Sequence, residues 1–514
     1  MAGLFLATIV AIGFAAYFLK RVLLGQNKAA PLPPGPRGLP LVGNLTDLPP
    51  PGTPEYFHWL KHKDIYGPIS SVTVLGQTLI ILNDKDVAFE LMDKQAGTYS
   101  GRPKMKFAEM CGWGHITAMT PYGKQNRLHR KYIHQQLGTA NLVSSFYPLI
   151  EGETGRFLWR VSRDSDNLVR HLKTEAAAAI LKMTYDYTIE PHKQDPLVKV
   201  VDEALEQFSE AAVPGKWIVD VMPRLESLPG WLPGVQFKET ATLWKKTTTA
   251  MVEEPYAYVK QRMASRSNDV SYVSKMLEQY DSDPSPEDEH AIKWTAATLY
   301  GAGADTSVST LTSFFLAMSA YPEVQRKAQH EIDRVVGKRL PTFSDRGNLP
   351  YVNAIVSEIL RWLPVAPLGI PHAADEEGMF KGYCIPKGAV LLPNVWWFTH
   401  DPATYHEPMH FKPERYFAPY NEPPPDNVIW GFGRRICSGR VFADASIYLT
   451  CVQSLAVLNV SKAVDELGNE IEPKIGLQGG AIGRPTPFSC RIRFKSKDHE
   501  ELVRRAVGSF ASAN

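Results

Sequence analysis

The segment WGFGRRICSGR, from Trp430 to Arg440, decides the fold more than any other stretch of the chain. Three glycines surround a single cysteine, Cys437, and two arginines precede it. Glycines at this density let the backbone turn tightly and bring amide N–H groups close to the sulfur. Such donors, together with the arginines, favour a thiolate over a thiol. Apolar residues at helical spacing follow, so the cysteine is predicted to lie just before a helix N-terminus, which also stabilises negative charge.

The residues of this loop alone leave its chemistry open. A thiolate at Cys437 can act as a nucleophile or as a metal ligand, whereas a lone cysteine in a glycine loop is more often a buried structural thiol. The chain has five scattered cysteines and no CxxC pair, which favours a reducing compartment and excludes a zinc ribbon. The loop also fails the dinucleotide-binding fingerprint, because Ile436 stands where its third glycine should be. Any redox chemistry would therefore take its electrons from another protein.

Composition excludes one large class of partners. The 514 residues are 44% hydrophobic and 21% charged, which is an ordinary globular mixture long enough to bury a large cofactor. Fifty-six basic and 54 acidic side chains leave a net charge of +2. This charge gives no long-range field for a phosphate backbone, so nucleic acid is not an expected partner.

The first nineteen residues carry no charged side chain. As a helix they would span about 28 Å, close to the roughly 30 Å hydrocarbon core of a bilayer. Lys20 and Arg21 follow this stretch, whereas a cleavable signal peptide carries its charges before the apolar run. Residues 1–24 are therefore predicted to be a retained transmembrane anchor, with the rest of the chain on the cytoplasmic face. A buried core helix is the alternative, but the segment has no polar face.

Clustered prolines predict the domain boundary. In PLPPGPRGLPLVGN, Pro31 to Asn44, they lock the backbone in an extended form and prevent the membrane helix from continuing. Residues 25–50 are accordingly predicted to form a stiff hinge. No second linker of comparable strength follows, so residues 51–514 are predicted to form one catalytic domain.

The sequence patterns predict a mainly α protein with a small β region, that is, an α+β fold. Ile69 to Asn83 is rich in β-branched residues and broken by a glycine, which predicts a hairpin. Tyr321 to Gly337 and Leu349 to Pro364 have helix start and stop signals. The run from Glu287 to Ala320 would span roughly 50 Å as one helix, enough to cross a whole domain.

The middle of that long helix breaks the local rules. AGADTS, Ala302 to Ser307, places a glycine, an acid and two hydroxyl side chains in an otherwise apolar element. Gly303 weakens a helix by about 1 kcal/mol, and Asp305 is costly to bury unless it is paired. The motif indicates either a functional site or a solvent-exposed patch in which Thr306 bonds back to the preceding turn.

In their order and spacing, these motifs resemble those of a membrane-anchored, fungal-type cytochrome P450, a heme-thiolate monooxygenase. Asp305 and Thr306 match the acid and alcohol of the family's central helix, which lies over the heme. One position departs from the family pattern, because Asn126 stands where tryptophan is usual. The other matches are the heme-ligand signature at Trp430, Gly433, Arg435, Cys437 and Gly439, and the structural ion-pair triad Glu358, Arg361 and Arg415.

The resemblance implies a role for each of these residues. Cys437 would be the axial thiolate ligand of heme b, and Asp305 and Thr306 would deliver protons to the bound oxygen. Gly303 would keep the helix backbone close to that oxygen. The side chains expected to pair with the heme propionates are Arg127, Arg130, His372 and Arg435.

The resemblance also implies partners and a location. The enzyme would insert one oxygen atom of O₂ into an apolar small molecule, taking electrons from NADPH–cytochrome P450 reductase, with cytochrome b5 as an optional second donor. It would be a single-pass protein of the endoplasmic reticulum membrane with its catalytic domain in the cytoplasm. Two alternatives are a reductase-independent heme-thiolate isomerase or dehydratase, against which Asp305 and Thr306 argue, and a membrane-tethered heme-binding protein without enzymatic activity.

Substrate identity is constrained only by analogy. LESLPGWLPG, Leu225 to Gly234, resembles fungal family members that tailor secondary metabolites such as terpenoids and polyketides. The segments expected to line the substrate pocket are largely aliphatic and aromatic, which suits an apolar ligand. These segments are 107–119, 208–217, the helix around Ala302, 365–368 and 481–482.

Overall fold

The computed structural model describes residues 30–189, 195–213, 216–232, 234–267, 270–480 and 482–512. The predicted membrane anchor, residues 1–24, lies outside these ranges. Within them, no helix is both long enough and apolar enough to cross a bilayer.

Helices dominate the described chain, as the α+β prediction requires. The described residues form eighteen α-helices, numbered here in chain order. They are α1 Glu55–Tyr66, α2 Lys85–Phe89, α3 Lys106–Met110, α4 Lys124–Leu137, α5 Ala140–Val143, α6 Tyr147–Val161, α7 Leu168–Tyr185, α8 Pro196–Ala211, α9 Ile218–Val221, α10 Phe237–Ala264, α11 Tyr272–Leu277, α12 Pro286–Ala320, α13 Pro322–Val335, α14 Pro350–Trp362, α15 Val395–Phe398, α16 Asp426–Ile429, α17 Arg440–Val457 and α18 Lys497–Ser512.

The β structure is small and divided among four sheets in the described chain. The largest has the order β1-β2-β6-β3, in which β1 and β2 form the predicted hairpin and β2 pairs with β6 in parallel. Three two-stranded sheets pair β4 with β5, β7 with β10, and β8 with β9. The strands are β1 Ile69–Val74, β2 Gln77–Leu82, β3 His372–Ala373, β4 Gly378–Phe380, β5 Tyr383–Ile385, β6 Val390–Pro393, β7 Leu458–Lys462, β8 Leu477–Gln478, β9 Arg484–Pro485 and β10 Cys490–Phe494.

Helix α12 is the centre of the molecule. Its 35 residues begin after Ser285, whose side chain accepts the amide of Asp288, and end where Pro322 starts the next helix. Residues 295–301 and 308–319 are buried, so most of the helix lies inside the main hydrophobic core. The expectation of one long helix across the domain is therefore confirmed. Its first turns and its middle, residues 302–307, keep accessible surface.

The proline-rich segment runs along the edge of the largest sheet from residue 31 onward. The Ser71 amide donates to the carbonyl of Pro34 at 2.8 Å, and the Asn44 amide donates to that of Thr73 at 2.7 Å. At Gly35 an added Cβ would lie 1.9 Å from the Ser71 carbonyl oxygen, so only glycine allows this approach. The part of the predicted hinge that is described therefore packs on the catalytic body, while the domain boundaries stay a prediction.

Candidate active site

The cysteine loop has the tight backbone that its glycines predicted. Gly433 has φ +49°, and an added Cβ there would lie 2.5 Å from the carbonyl oxygen of Met92. The Cys437 amide donates to the carbonyl of Trp430 at 2.7 Å, which closes the loop before α17 begins. The sulfur then accepts the amides of Gly439 and Arg440. Glycine is required at position 433 because any side chain would collide with the neighbouring backbone.

Opposing effects act on the pKa of the Cys437 thiol. Burial raises this pKa above its ordinary value, whereas the amides of Gly439 and Arg440 and the charges of Arg130 and Arg440 lower it. The donors and arginines therefore favour a thiolate, as the sequence predicted, but burial opposes them. A bound metal ion would supply the missing stabilisation, since thiolate ligands lose their protons on coordination.

Three arginines from separate segments converge beside this loop. Burial, followed by repulsion from Arg435 and Arg130, lowers the pKa of Arg102 to about 9. Burial and repulsion from Arg130 likewise lower the pKa of Arg435 to about 10. All three stay cationic at neutral pH, so the chain holds three mutually repelling charges in one place.

The partners of these arginines are backbone carbonyl groups. Arg435 donates to the carbonyls of Ser100 at 2.7 Å and Thr120 at 2.9 Å, and Arg130 donates to that of Ile436 at 2.9 Å. Nη2 of Arg435 is buried with no hydrogen-bond partner. Across the described ranges, none of the three arginines has a carboxylate within ion-pair distance. The pocket is therefore built for anions that this part of the chain does not provide.

Hydrogen bonds tie several segments to α12 and to one another. Thr298 of α12 accepts the Thr117 amide at 3.1 Å, and Arg102 donates to the carbonyls of Ala118 and Ile370 at 2.8 and 2.9 Å. In the turn before β9, Gly483 donates its amide to the carbonyl of Val365 and accepts the hydroxyl of Ser309 of α12. The side chains of Ala302, Ile370 and Cys437 keep accessible surface.

The acid and the alcohol of the central helix have different partners. Thr306 donates its hydroxyl to the carbonyl of Ala302 at 2.8 Å, the back-bond that the exposed-patch interpretation foresaw. Both residues keep partly accessible surface. Asp305 accepts two hydrogen bonds from Arg484 of β9, at 2.7 and 2.9 Å.

Gly303 serves helix packing instead of approach to a ligand. An added Cβ at this position would lie 2.4 Å from Cδ1 of Ile180 in α7. The missing side chain therefore lets α7 and α12 pack closely. The sequence analysis expected Gly303 to keep the backbone near bound oxygen. This contact instead indicates a role in helix packing, because the glycine faces the neighbouring helix.

The three residues of the expected structural triad are fully buried and in contact. Glu358 accepts two hydrogen bonds from Arg361, both at 2.8 Å, and a third from Arg415 at 2.9 Å. The hydroxyl of Tyr416 and the amide of Lys412 also donate to this carboxylate. Five hydrogen bonds to one carboxylate compensate for the loss of its hydration. The triad fixes the end of α14 to the segment that leads into the cysteine loop.

Comparison with known proteins decides the family. A sequence model described as cytochrome P450 matches residues 33–479. The chain belongs to the cytochrome P450 family. The multifunctional cytochrome P450 monooxygenase af510 of Aspergillus fumigatus is 46% identical over 508 residues, which cover 97% of this chain and 95% of the relative. The cytochrome P450 monooxygenase CLM2 of Gibberella zeae is 46% identical over 507 residues, with the same coverage of 97% and 95%.

A more distant relative has a name that states its substrate. The O-methylsterigmatocystin oxidoreductase of Aspergillus flavus is 39% identical over 492 residues, which cover 95% of this chain and 92% of the relative. Close relatives along nearly the whole chain are named monooxygenases, and this cytochrome P450 is a monooxygenase of the same family.

The residues present fit the heme that the P450 family implies. Two propionate carboxylates would neutralise the cluster of Arg102, Arg130 and Arg435, and one could accept from the unpartnered Nη2 of Arg435. Cys437, whose side chain keeps accessible surface, would hold the iron. Bound heme with a thiolate ligand supplies the activation of O₂, because the sulfur donates electron density that favours O–O cleavage.

The remaining predicted heme contacts stay predictions for this P450. His372 is buried, its Nδ1 hydrogen-bonds to the Tyr99 carbonyl at 2.7 Å, and burial and Arg102 lower its pKa to about 3. The imidazole ring of His372 is therefore neutral, and it would become protonated only if a carboxylate lay beside Nε2. Arg127 is exposed, with its guanidinium 5.8 Å from the centroid of the Tyr122 ring.

Asn126, the departure from the P450 pattern, supports the segment that contains Thr117. Its side chain is buried, and Nδ2 donates to the carbonyl of Thr117 at 3.2 Å. The hydroxyl of the same threonine contacts Thr298 of α12 and Nδ1 of His129, both at 3.1 Å. Asparagine therefore holds a segment next to the central helix.

Two functional residues escaped the sequence analysis. Arg102 lies in TYSGRP, where an arginine within a buried, glycine-containing stretch is a signal that could have been used. Arg484 pairs with an acid 179 positions earlier in the chain, so no local pattern could have indicated it. Long-range charge pairs become visible only once the fold brings them together.

Proposed function

We propose that this cytochrome P450 inserts one oxygen atom of O₂ into an apolar small molecule as a step in fungal secondary metabolism, with terpenoids and polyketides as the substrate classes. The observation that carries the proposal is the cluster of Arg102, Arg130 and Arg435 beside the Cys437 loop, which has no carboxylate partner in the described chain and fits a heme. A relative that is 39% identical is named O-methylsterigmatocystin oxidoreductase, which supports a secondary metabolite as the substrate.

Aromatic packing supports a pocket for a flat or bulky apolar ligand. Phe107 stacks on Trp217 with 3.5 Å between ring centroids, and Trp113 packs on Phe208 at 4.7 Å. These contacts join two of the segments expected to line the pocket. Large aromatic surfaces of this kind contribute apolar contact area with few rotamers to fix.

Electrons would reach the site from a membrane-bound NADPH–cytochrome P450 reductase. A basic face on the cysteine-loop side supports this proposal, since all of its members are exposed. Arg127 and Arg434 both lie over the ring of Tyr122, at 5.8 and 4.8 Å, so they share one patch. An acidic partner surface would be drawn to such a face. Its members are Lys124, Arg127, Lys131, Arg434 and Arg440.

Attachment to the endoplasmic reticulum membrane, with the catalytic domain in the cytoplasm, is part of the proposal. The connection between α8 and α10 presents exposed apolar side chains, among them Met222 at 54% and Trp231 at 81% accessibility. A bilayer surface would cover them. With the apolar residues 1–24, they would place the pocket where lipophilic compounds are concentrated.

The test combines purified enzyme, reductase and a panel of terpenoid and polyketide compounds. Compounds that bind near the iron should shift the heme absorption spectrum, and at least one should stimulate NADPH-dependent O₂ uptake and gain one oxygen atom. Thr306→Ala should keep the heme but divert electrons to hydrogen peroxide. Substrate turnover without NADPH or reductase would instead favour the isomerase alternative, and binding without any turnover would favour a heme-binding role.

A further inference from the structure

The acid of the central helix is held by a residue from the far end of the chain. One guanidinium nitrogen of Arg484 donates to both carboxylate oxygens of Asp305, at 2.7 and 2.9 Å. The two side chains are 54% and 24% exposed, so the pair is open to solvent. The next residue of α12 is Thr306, whose side chain is also partly accessible.

The backbone that carries Arg484 is fixed to the active site on two sides. The residue before it, Gly483, donates its amide to the carbonyl of Val365 at 2.7 Å. Its own carbonyl accepts the hydroxyl of Ser309, one turn after Asp305 on α12, at 2.6 Å. At Gly483 an added Cβ would lie 3.1 Å from Cγ of Pro367, so the turn also packs against this segment. These contacts fix the position of Arg484 along the axis of the central helix.

A carboxylate on α8 adds to the negative charge near Asp305. Burial raises the pKa of Asp202, and the charges of Glu206 and Asp305 raise it further against the effect of Lys173. Asp305 therefore lies within electrostatic reach of Asp202, and the cation of Arg484 offsets the repulsion between these carboxylates.

We propose that Arg484 is the positioning residue of proton delivery: it holds the carboxylate of Asp305 where protons from solvent can pass toward Thr306 and the bound oxygen. This inference rests on the proposed monooxygenase reaction. Thr306 donates its own proton to the Ala302 carbonyl, which leaves the lone pairs of its oxygen to accept a proton donor from the Asp305 side.

The destination of the protons determines the product. Substrate, O₂, two electrons and two protons give hydroxylated product and water when both protons reach the same oxygen atom. The same two electrons and two protons give hydrogen peroxide when one proton goes to each oxygen atom, and the substrate is then unchanged. A misplaced Asp305 should therefore raise the yield of peroxide without lowering the demand for NADPH.

The test compares five forms of the full-length holoenzyme: wild type, Arg484→Gln, Arg484→Lys, Asp305→Asn and the Arg484→Gln/Asp305→Asn double variant. With reductase, NADPH and the panel compound that wild type oxidises, Arg484→Gln should lower the ratio of product to peroxide by roughly fivefold, the effect that one partly exposed ion pair can sustain. Arg484→Lys should restore most of the ratio. The double variant should equal Asp305→Asn, because Arg484 acts through Asp305.

A second readout does not depend on turnover. The infrared stretching band of carbon monoxide on the reduced heme reports the charges beside it, so Arg484→Gln should shift or split the band, and Arg484→Lys and the exposed control Arg493→Gln should not. In the Asp305→Asn background, Arg484→Gln should change the band less than in wild type, because only the charge of Arg484 itself is then lost.

Two results would overturn the proposal: a wild-type band and peroxide yield in Arg484→Gln, or an equal effect of Arg484→Gln with and without the Asp305 carboxylate. Failure of the proposed function would show separately, as the absence of any oxidised compound with wild type, while the infrared comparison would still test the pair.

Discussion

Replacing Arg435 by methionine should weaken heme binding far more than it weakens the fold. Arg435 is 7% exposed, donates to the carbonyls of Ser100 and Thr120, and has one nitrogen left for a propionate. Methionine fills similar space but provides neither charge nor donors. The propionate would then face only Arg102 and Arg130.

The magnitude follows from the cost of leaving a buried charge without its partner. Truncating one member of such a pair costs at least about 2 kcal/mol, and a loss of about 3 kcal/mol corresponds to roughly 150-fold in affinity. Arg435→Met also removes one of three mutually repelling cations. The relief of this repulsion offsets part of the folding stability that is lost with the hydrogen bonds of Arg435 to the protein. Heme transfer to excess apomyoglobin measures the loss, and circular dichroism measures the fold.

A matched control lies one residue away. Arg434 is exposed, so Arg434→Met should transfer heme at the wild-type rate. If Arg435→Met also kept its heme within threefold of wild type, about 0.7 kcal/mol, the cation cluster would not be the propionate site.

Three further changes test the interior. Glu358→Gln leaves two buried arginines without their carboxylate, so it should cost about 3–5 kcal/mol of stability. It should also prevent heme incorporation, which is measured as a loss of Soret absorbance. Normal heme content would contradict this prediction. Burial raises the pKa of Glu175 from 4.5 to about 7, so the folded state binds this proton more tightly than the unfolded state does. Wild type should therefore lose stability as the pH rises through this range. Glu175→Gln should remove that slope of at most about 3 kcal/mol, measured as thermal midpoints at about pH 5 and about pH 8; an unchanged slope would refute the assignment. Gly303→Ala should destabilise the protein by about 1–3 kcal/mol through its contact with Ile180, and adding Ile180→Val should restore the thermal midpoint.

Local patterns were sufficient for the fold because its main elements have strong start and stop signals. The hairpin β1–β2, the central helix α12 and helices α13 and α14 lie where their sequences predict them. Proline at the first turn of each of these three helices gives a boundary that packing does not shift. The docking of the proline-rich segment on the sheet was not predictable, because polyproline geometry specifies an extended chain and not its contacts.

The active site was predictable where one motif contains the chemistry and not where distant segments meet. The cysteine loop and Thr306 follow from short stretches with unusual residue combinations. Arg102 and Arg484 join them through contacts across 268 and 179 positions. The effect of burial on the pKa of Cys437 was also missed, because burial is a property of the assembled fold.

The most direct test of the account is the carbon monoxide spectrum of the reduced holoenzyme, recorded for wild type and for Cys437→Ser. Wild type should show the Soret band typical of a thiolate-ligated heme, and Cys437→Ser should lose that band. A wild-type spectrum without it, or a band that persists in Cys437→Ser, would contradict ligation of the heme iron by the sulfur of Cys437.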